Sequence, residues 1–567
     1  MIVYLVSLDV PGFGEAFLRR SAPAMEDAGP GILWGDMFNW HRCKLDPMRN
    51  VKYVNLLCLC VISVSLLQQD CGASEGLSVG QWARFERPVN STGTYRNAYA
   101  DVTLDVTYED PDGKKTKFWG FYDGGRTWKI RFMPNRIGTW RYDAVFSDGS
   151  GRISGTFECI PSGIPGMISA DRINPIWFGY SSGRHVLIRS FHVGDRFFAE
   201  NWPAARRKAF LDWAQTQGYN MLSVASHYLN RDAEGRGRGW KTPDLWPLDA
   251  AEYRKAEVIL SDLAARKIMV YPFAGFFGQS SDFPVAHQDQ ILYIKYVLAR
   301  WGPYWNILFN VAGPEPRIKP GEFQNAMSWA DVNRLGRQIR ELDIFAHPIS
   351  IHNPSGDDPY KNEDWLSFVT LQGWKGTDLR EIYSGMLKNH HHSKPLYAQE
   401  VFWPGNKYHK IRNEADIRKK AFVLMMSAAA INFADMDGNS STGFSGSMDL
   451  ADRNQANHDI VRKVWDFFET IDFYRMNPSN ETVDTGFCLA EEDRRYLVYL
   501  DKNRTVNVSV RPGRYRVTWI NARDTSDSRH TGMTNDGRNL SAPNAVDDWL
   551  LLLVAEDAVD ITSPNRR

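Results

Sequence analysis

Residues 250–273 read AAEYRKAEVILSDLAARKIMVYPF, a helical stretch from Ala250 to Arg266 that runs, one residue later, into the apolar strand Ile268 to Phe273. The same unit recurs to both sides. Further strands are predicted at Val186 to Phe191, Asn220 to Ala225, Trp305 to Val311, Pro348 to His352, Leu366 to Gln372, Leu396 to Glu400 and Ala429 to Phe433. Between them lie helical stretches at Trp202 to Thr216, Asp289 to Trp301, Trp329 to Leu342, Leu379 to Asn389 and Ile411 to Ala428. Eight strands alternating with helices over roughly 300 residues predict an α/β fold, a (β/α)8 TIM barrel over residues 172–475. A doubly wound open sheet is the competing reading. No Gly-x-Gly-x-x-Gly follows the first strand and no phosphate loop occurs, which argues against it.

The flanks have a different rhythm. Over residues 79–163 the pattern is short and alternating, as in Ala98 to Tyr108, Trp128 to Phe132 and Thr139 to Phe146. Turn clusters Asp110-Pro-Asp-Gly, Asp123-Gly-Gly and Asp148-Gly-Ser-Gly separate the runs, so an N-terminal β-sandwich is expected there. Pro161-Ser-Gly-Ile-Pro-Gly serves as a linker. Alternation returns over residues 479–567, at Tyr496 to Leu500, Thr505 to Val510, Tyr515 to Ile520 and Trp549 to Val554, predicting a small C-terminal β-domain.

Residues 1–73 read as a leader. Neither periodicity is sustained before Met48, which opens a charged n-region followed by the apolar run Leu56 to Leu67 and the small residues Gly72, Ala73 and Ser74. That is the layout of a secretory signal, and a run of about 12 residues is too short to span a bilayer. Export to the periplasm or beyond a bacterial cell is expected, with no membrane span. Four of the six cysteines (Cys43, Cys58, Cys60, Cys71) fall in this leader. Cys159 and Cys488 alone remain, which supports neither a disulfide scaffold nor a cysteine-built metal site.

Composition narrows the partners. Of 567 residues, 67 are Lys or Arg and 67 are Asp or Glu, so there is no basic surplus of the kind a nucleic-acid binder carries. Aromatic residues reach 13%, and flat rings with a polar edge are suited to holding sugars as well as to filling cores.

In barrels of this kind the chemistry sits at the C-terminal ends of the strands. Glu315 follows strand four in Asn306-Ile-Leu-Phe-Asn-Val-Ala-Gly-Pro-Glu, and Glu400 ends strand seven in Pro395-Leu-Tyr-Ala-Gln-Glu. Glycoside hydrolysis needs two such carboxyls, one protonated to assist the leaving oxygen and one ionised. A separation of about 5–5.5 Å goes with retention and about 6.5–9.5 Å with inversion, and sequence does not supply the distance. By association of strands four and seven with retaining enzymes, Glu315 is expected as acid/base and Glu400 as nucleophile. Candidate substrate-binding residues at other strand ends are His192, His227, Tyr228, Asn310, Gln372, Trp374, Trp403 and Asp435, with Tyr228, Trp374 and Trp403 as aromatic platforms. Arg231, Arg236, Arg238 and Lys241 crowd the loop after strand two, and their forks suit the carboxylate or sulfate groups of an acidic glycan.

The segment from Trp82-Ala-Arg-Phe-Glu-Arg-Pro to Gly155-Thr-Phe, with Phe121-Tyr-Asp-Gly-Gly and Arg131-Phe-Met-Pro-Asn-Arg-Ile-Gly-Thr-Trp-Arg-Tyr, resembles the β-sandwich that precedes the barrel of apiosidase-like glycoside hydrolases. The barrel resembles the same enzymes more loosely. The resemblance covers most of residues 79–567 and implies a retaining hydrolase with Glu315 and Glu400 at the catalytic positions. One position departs from it: barrel enzymes of this clan usually carry Asn before the acid/base, to bond the sugar 2-hydroxyl, and here that residue is Pro314. Either another residue, with Asn310 the candidate, takes that role, or the substrate differs at C2.

The run His390-His-His is expected at the far end of the barrel, in a poor ligand spacing, and no metal or other cofactor is expected. The expected protein is a secreted retaining glycoside hydrolase acting on a polysaccharide or oligosaccharide. The alternatives are a catalytically silent carbohydrate-binding protein, a transglycosylase or a polysaccharide lyase.

Overall fold

The computed structural model describes residues 77–561 except 195–196, 199–202, 225–247, 273–283, 285, 312–326, 353–355, 375, 403–412, 435–449, 451–453 and 503. The leader read over 1–73 lies outside the described residues, as does the basic loop at 230–241.

Two sheets open the described chain, antiparallel except where the edge strand Ser78–Gly80 pairs in parallel with Arg152–Ile160. One has the order Ser78–Gly80, Arg152–Ile160, Gly138–Phe146, Leu104–Glu109, Lys115–Trp119; the other pairs Phe85–Asn90 and Phe121–Gly124 with a central Thr127–Phe132. In Gly138–Phe146 every second side chain is buried, so Trp140, Tyr142, Ala144 and Phe146 face inward. They meet residues of the other sheet: Phe132 lies 5.0 Å from Trp140 and Phe85 lies 5.2 Å from Tyr142, ring centre to ring centre. Gly124 and Gly125 both have positive φ (108° and 60°), which lets the chain reverse between Phe121–Gly124 and Thr127–Phe132. The strand expected from Ala98 begins at Leu104 instead. Residues 97–101 form a turn, in which the amides of Ala100 and Asp101 both donate to the Asn97 carbonyl.

All eight strands expected in the middle of the chain are present. Six form one parallel sheet in the order Met269–Pro272, Met221–Val224, Arg189–Gly194, Ala429–Phe433, Leu396–Phe402, Val369–Gln372. The remaining two, Phe309–Asn310 and Ile349–Ser350, pair in parallel with each other. The molecule is thus a mixed α/β protein built on a parallel half-barrel sheet. The strands are buried along their length, as a parallel sheet covered on both faces requires. Met221, Met269, Tyr271, Leu308, Phe368 and Tyr397 pack together on one side, joined by Phe178 and Tyr180 of the hairpin Ile168–Ala170/Phe178–Tyr180.

Helices Ala204–Thr216, Ala250–Ala265, His287–Trp301, Trp329–Leu342, Leu379–Lys388, Glu414–Met426 and Gln455–Glu469 cover the other side. Their starts are written locally. Asp249 accepts from the amides of Ala251 and Glu252, Asp378 from those of Arg380 and Glu381, and Ser328 and Asp331 form a reciprocal capping box. The helix from Gln455 was not anticipated.

The last sheet is antiparallel, in the order Asn477–Pro478, Phe487–Glu491, Arg495–Leu500, Trp549–Ala555, Tyr515–Asn521, Ser528–Thr534. Phe487 and Tyr499 turn toward the helices, with Tyr499 stacked on Phe422 at 5.0 Å. The opposite face buries Trp519, Trp549 and the free Cys488, whose thiol burial pushes up to about 12.

Candidate active site

Glu400 sits where the strand Leu396–Phe402 departs from regular pairing. Leu371 pairs with Ala398 but the next residue, Gln372, pairs with Glu400, so strand seven carries one extra residue, Gln399. Such a bulge breaks the alternation of faces. In consequence two successive side chains both find partners: Gln399 Nε2 donates to Ser223 Oγ at 2.6 Å, three strands away in the sheet, and Glu400 Oε2 accepts from Gln372 Nε2 of the adjoining strand at 2.8 Å. The other carboxylate oxygen, Oε1, lies 3.4 Å from His352 Nε2. Glu400 is 3% exposed and His352 1%. A carboxylate so deeply buried needs donors on its oxygens, and these two side chains approach one oxygen each.

The polar path continues behind His352. Its backbone amide donates to Asn310 Oδ1 at 2.9 Å, and the same oxygen accepts from Tyr271 OH at 3.1 Å. Tyr271 also lies 3.4 Å from Thr370 Oγ1, which is 2.7 Å from Ser350 Oγ. Burial raises the Tyr271 and Tyr397 phenols well above their ordinary range, so both keep their protons and stay available as donors. On the next strands Ser190 Oγ meets Tyr397 OH at 2.7 Å and donates to Asn432 Oδ1 at 2.9 Å.

The structure thus brings together three of the residues expected from sequence, Glu400, Gln372 and Asn310. Gln372 holds the carboxylate, and the amide oxygen of Asn310 already accepts two protein hydrogen bonds, which fills its two lone pairs. His192 is wholly buried on strand one, beside Ser223 in register. Trp374, expected as a platform, packs its indole against Gly356 and Gly385, while its carbonyl accepts from Lys420 Nζ at 2.9 Å. Glu315, His227, Tyr228, Trp403 and Asp435 lie outside the described residues. His352 and Tyr271 were missed. His352 closes the predicted strand Pro348 to His352, so the rule that selected Glu400 at a strand's C-terminal end also pointed to it.

Among the described residues no group of three His, Cys, Asp or Glu side chains could hold a metal ion, and no helix is long and apolar enough to cross a membrane.

Comparison with known proteins places the site in a family. Residues 196–432 match the apiosidase-like catalytic domain, and residues 78–147 match DUF5060, a domain of unknown function. Residues 196–432, which hold Asn310, His352, Gln372 and Glu400, are thus an apiosidase-like catalytic domain, that of a glycoside hydrolase. Its fold is similar to that of a protein described as a "putative glycoside hydrolase" from Bacteroides vulgatus, at 18% identity and a TM-score of 0.65, covering 84% of this chain and 100% of that one. A glycoside hydrolase of family 5 from the same organism aligns at 14% identity and a TM-score of 0.52, over 70% of this chain and 96% of its own. A third structure, described only as a glycoside hydrolase, gives 13% identity and the same score over 70% of this chain and 99% of its own. At these identities the likeness to the three structures is one of fold. No curated protein matches the chain.

Proposed function

We propose that the chain is a retaining glycoside hydrolase that cleaves a polysaccharide or complex glycan, with Glu400 as nucleophile and Glu315 as acid/base. The observation that carries this reading is the environment of Glu400: a buried carboxylate at the end of a parallel strand, bracketed by the Gln372 amide and the His352 imidazole. Both contacts orient the carboxylate, which suits attack on an anomeric carbon. A carbohydrate substrate is further suggested by the glycoside hydrolases whose fold the chain shares.

The parallel strands are read as a closed (β/α)8 barrel. Support comes from hydrogen bonds that continue past the six-stranded sheet. Val270 N donates to Asn306 O at 2.8 Å, Leu308 N to Val270 O at 2.9 Å and Ser367 N to Ile349 O at 2.7 Å, linking strand three to four and five to six. We divide the chain into a leader at 1–73, an N-terminal β-sandwich at 79–163, the barrel at 172–475 and a C-terminal β-domain at 479–567. We also assign the leader as an export signal, so that mature protein begins near Ser74; N-terminal sequencing of the exported form checks this.

The activity is tested by a screen of plant and algal polysaccharides, acidic ones included, with the parent protein and Glu400→Gln, reading reducing ends and the anomeric configuration of the first product by NMR. Retained configuration in the parent and a loss of about 10³-fold or more in the variant are expected. Inverted product or an active Glu400→Gln enzyme overturns the assignment. Products with an ultraviolet-absorbing double bond would make the protein a lyase, and binding without cleavage a silent carbohydrate binder.

A further inference from the structure

The buried path that ends on Glu400 draws one side chain or amide from each of five consecutive parallel strands or their ends. Tyr271 belongs to Met269–Pro272, Asn310 to Phe309–Asn310, His352 follows Ile349–Ser350, Gln372 ends Val369–Gln372, and Glu400 lies in Leu396–Phe402. Asn310 is at its centre. Its oxygen is the common acceptor for the Tyr271 hydroxyl at 3.1 Å and the His352 amide at 2.9 Å, and Asn310, Tyr271 and His352 are buried.

This bond is to the backbone of His352, not to its ring. It fixes where the chain stands as it leaves strand five, and therefore where the imidazole begins. The ring in turn reaches Glu400 Oε1 at 3.4 Å, opposite the oxygen that Gln372 holds. Tyr271 is itself located by the Thr370 hydroxyl, at 3.4 Å, and by ring packing on Tyr397 at 5.7 Å. Asn310 therefore stands between a rigid aromatic interior and the carboxylate.

We propose that Asn310, backed by Tyr271, is a positioning residue for the hydrolysis: it sets the His352 main chain and, through the His352 ring, the orientation of the Glu400 carboxylate. The proposal rests on the assignment of Glu400 as nucleophile. With its oxygen taken by two protein donors, Asn310 could meet a sugar hydroxyl only by donating from Nδ2, and the split between kcat and KM below separates that role from positioning.

A misplacement of about 1 Å at a reacting group can cost about 100-fold in rate. Loss of positioning lowers kcat and leaves substrate binding alone, whereas loss of a sugar contact raises KM. The test uses the full mature chain and whichever polysaccharide releases the most reducing ends in the screen above. Asn310→Ala is expected to lower kcat by about 30- to 100-fold with KM within about threefold of the parent. Tyr271→Phe removes one donor and keeps the ring and the His352 bond, so a smaller fall, about three- to tenfold, is expected with unchanged KM. The double variant falls no further than Asn310→Ala, since Tyr271 acts through Asn310. Thermal unfolding is followed for each, and Tyr271→Phe carries the test if Asn310→Ala does not fold.

An unchanged kcat in both variants overturns the proposal, as does a raised KM at constant kcat, which would return Asn310 to the substrate. A fall in kcat that matches the unfolded fraction would make the residue merely structural and overturn it too. The Glu400→Gln control separates the two assignments. If that variant is active the nucleophile assignment fails, and if it is inactive while Asn310→Ala is normal only the positioning role fails.

Discussion

Arg131 and Glu257 meet in a two-pronged ion pair, Nη1 to Oε1 at 2.8 Å and Nη2 to Oε2 at 3.0 Å, which ties the strand Thr127–Phe132 to the helix Ala250–Ala265. Arg300, on the helix His287–Trp301, grips the same carboxylate through Nε at 2.5 Å and Nη2 at 3.2 Å. Arg131 also donates to Glu86 at 2.6 Å and to the Arg300 carbonyl at 2.7 Å, and Arg300 reaches Asp123 at 2.8 Å. Both guanidiniums are almost fully buried, 2% and 0% exposed. The Arg131-Phe-Met-Pro motif that suggested a family resemblance is therefore where the N-terminal sheets are bolted to the parallel layer.

Replacing Glu257 with Gln leaves two buried guanidiniums around a neutral amide. Breaking a buried pair by removing one partner costs about 3–5 kcal/mol, because the stranded charge keeps its desolvation penalty. Urea unfolding of Glu257→Gln should show a loss of that size. A loss below about 1 kcal/mol would mean that the remaining carboxylates, Glu86 beside Arg131 and Asp123 beside Arg300, suffice to pair the two arginines.

The same carboxylate makes stability depend on pH. Burial alone would raise its pKa, but the Arg131 and Arg300 guanidiniums outweigh burial and hold it at about 2 against an ordinary 4.5. The folded value lies below the unfolded one, so the contribution is complete above about pH 4.5 and drains away as pH falls toward 2. A shift of this size corresponds to about 3 kcal/mol. The stability gap between the parent and Glu257→Gln should be widest above about pH 5 and should narrow toward pH 2. A gap constant over that range would sink this assignment.

Gln372 is expected to matter through the carboxylate it holds. Gln372→Leu keeps a side chain of similar size and removes the 2.8 Å donor to Glu400. A hydrogen bond to a charged group is worth about 1.5–3 kcal/mol. If that is spent on orienting the proposed nucleophile, kcat falls by about 10- to 150-fold. Steady-state kinetics in which KM alone rises would instead place Gln372 on the substrate, where sequence reading first put it.

Most of the fold was legible because its signals are local. Trp329–Leu342 has the expected bounds, set by the Ser328 and Asp331 capping box, and the strand Ala429–Phe433 agrees to the residue. Errors arise where an apolar run is shared between partners. Val186 to Ile188 were read as the start of strand one, but the Val186 amide donates to Phe178 of the preceding hairpin and the parallel pairing begins at Arg189. Apolar periodicity does not say which neighbour a strand will choose. The strand-end rule pointed to Glu400, which the structure places in a buried polar cluster with Gln372 and His352. The bulge at Gln399 that turns two successive side chains toward their partners depends on cross-strand register, which no single strand's sequence encodes.

Trp374 supplies a final test, because its indole has a structural partner that a sugar platform would not need. An added Cβ at Gly385, inside the helix Leu379–Lys388, would fall well within contact distance of Trp374 Cε2 and Nε1. On an open helix surface Gly→Ala stabilises by about 1 kcal/mol. Here overpacking, at about 1–3 kcal/mol, opposes that gain and exceeds it, since the neighbour is a rigid bicyclic ring and not the end of a flexible chain. Gly385→Ala should therefore lower stability by about 1–2 kcal/mol with KM unchanged. Gly376→Ala is the matched control: nothing lies within 4 Å of its added Cβ, and an effect within about 0.5 kcal/mol is expected. A stabilised Gly385→Ala protein would show that the Trp374 ring leaves that seat readily, and a raised KM in the same variant would return Trp374 to the list of sugar contacts.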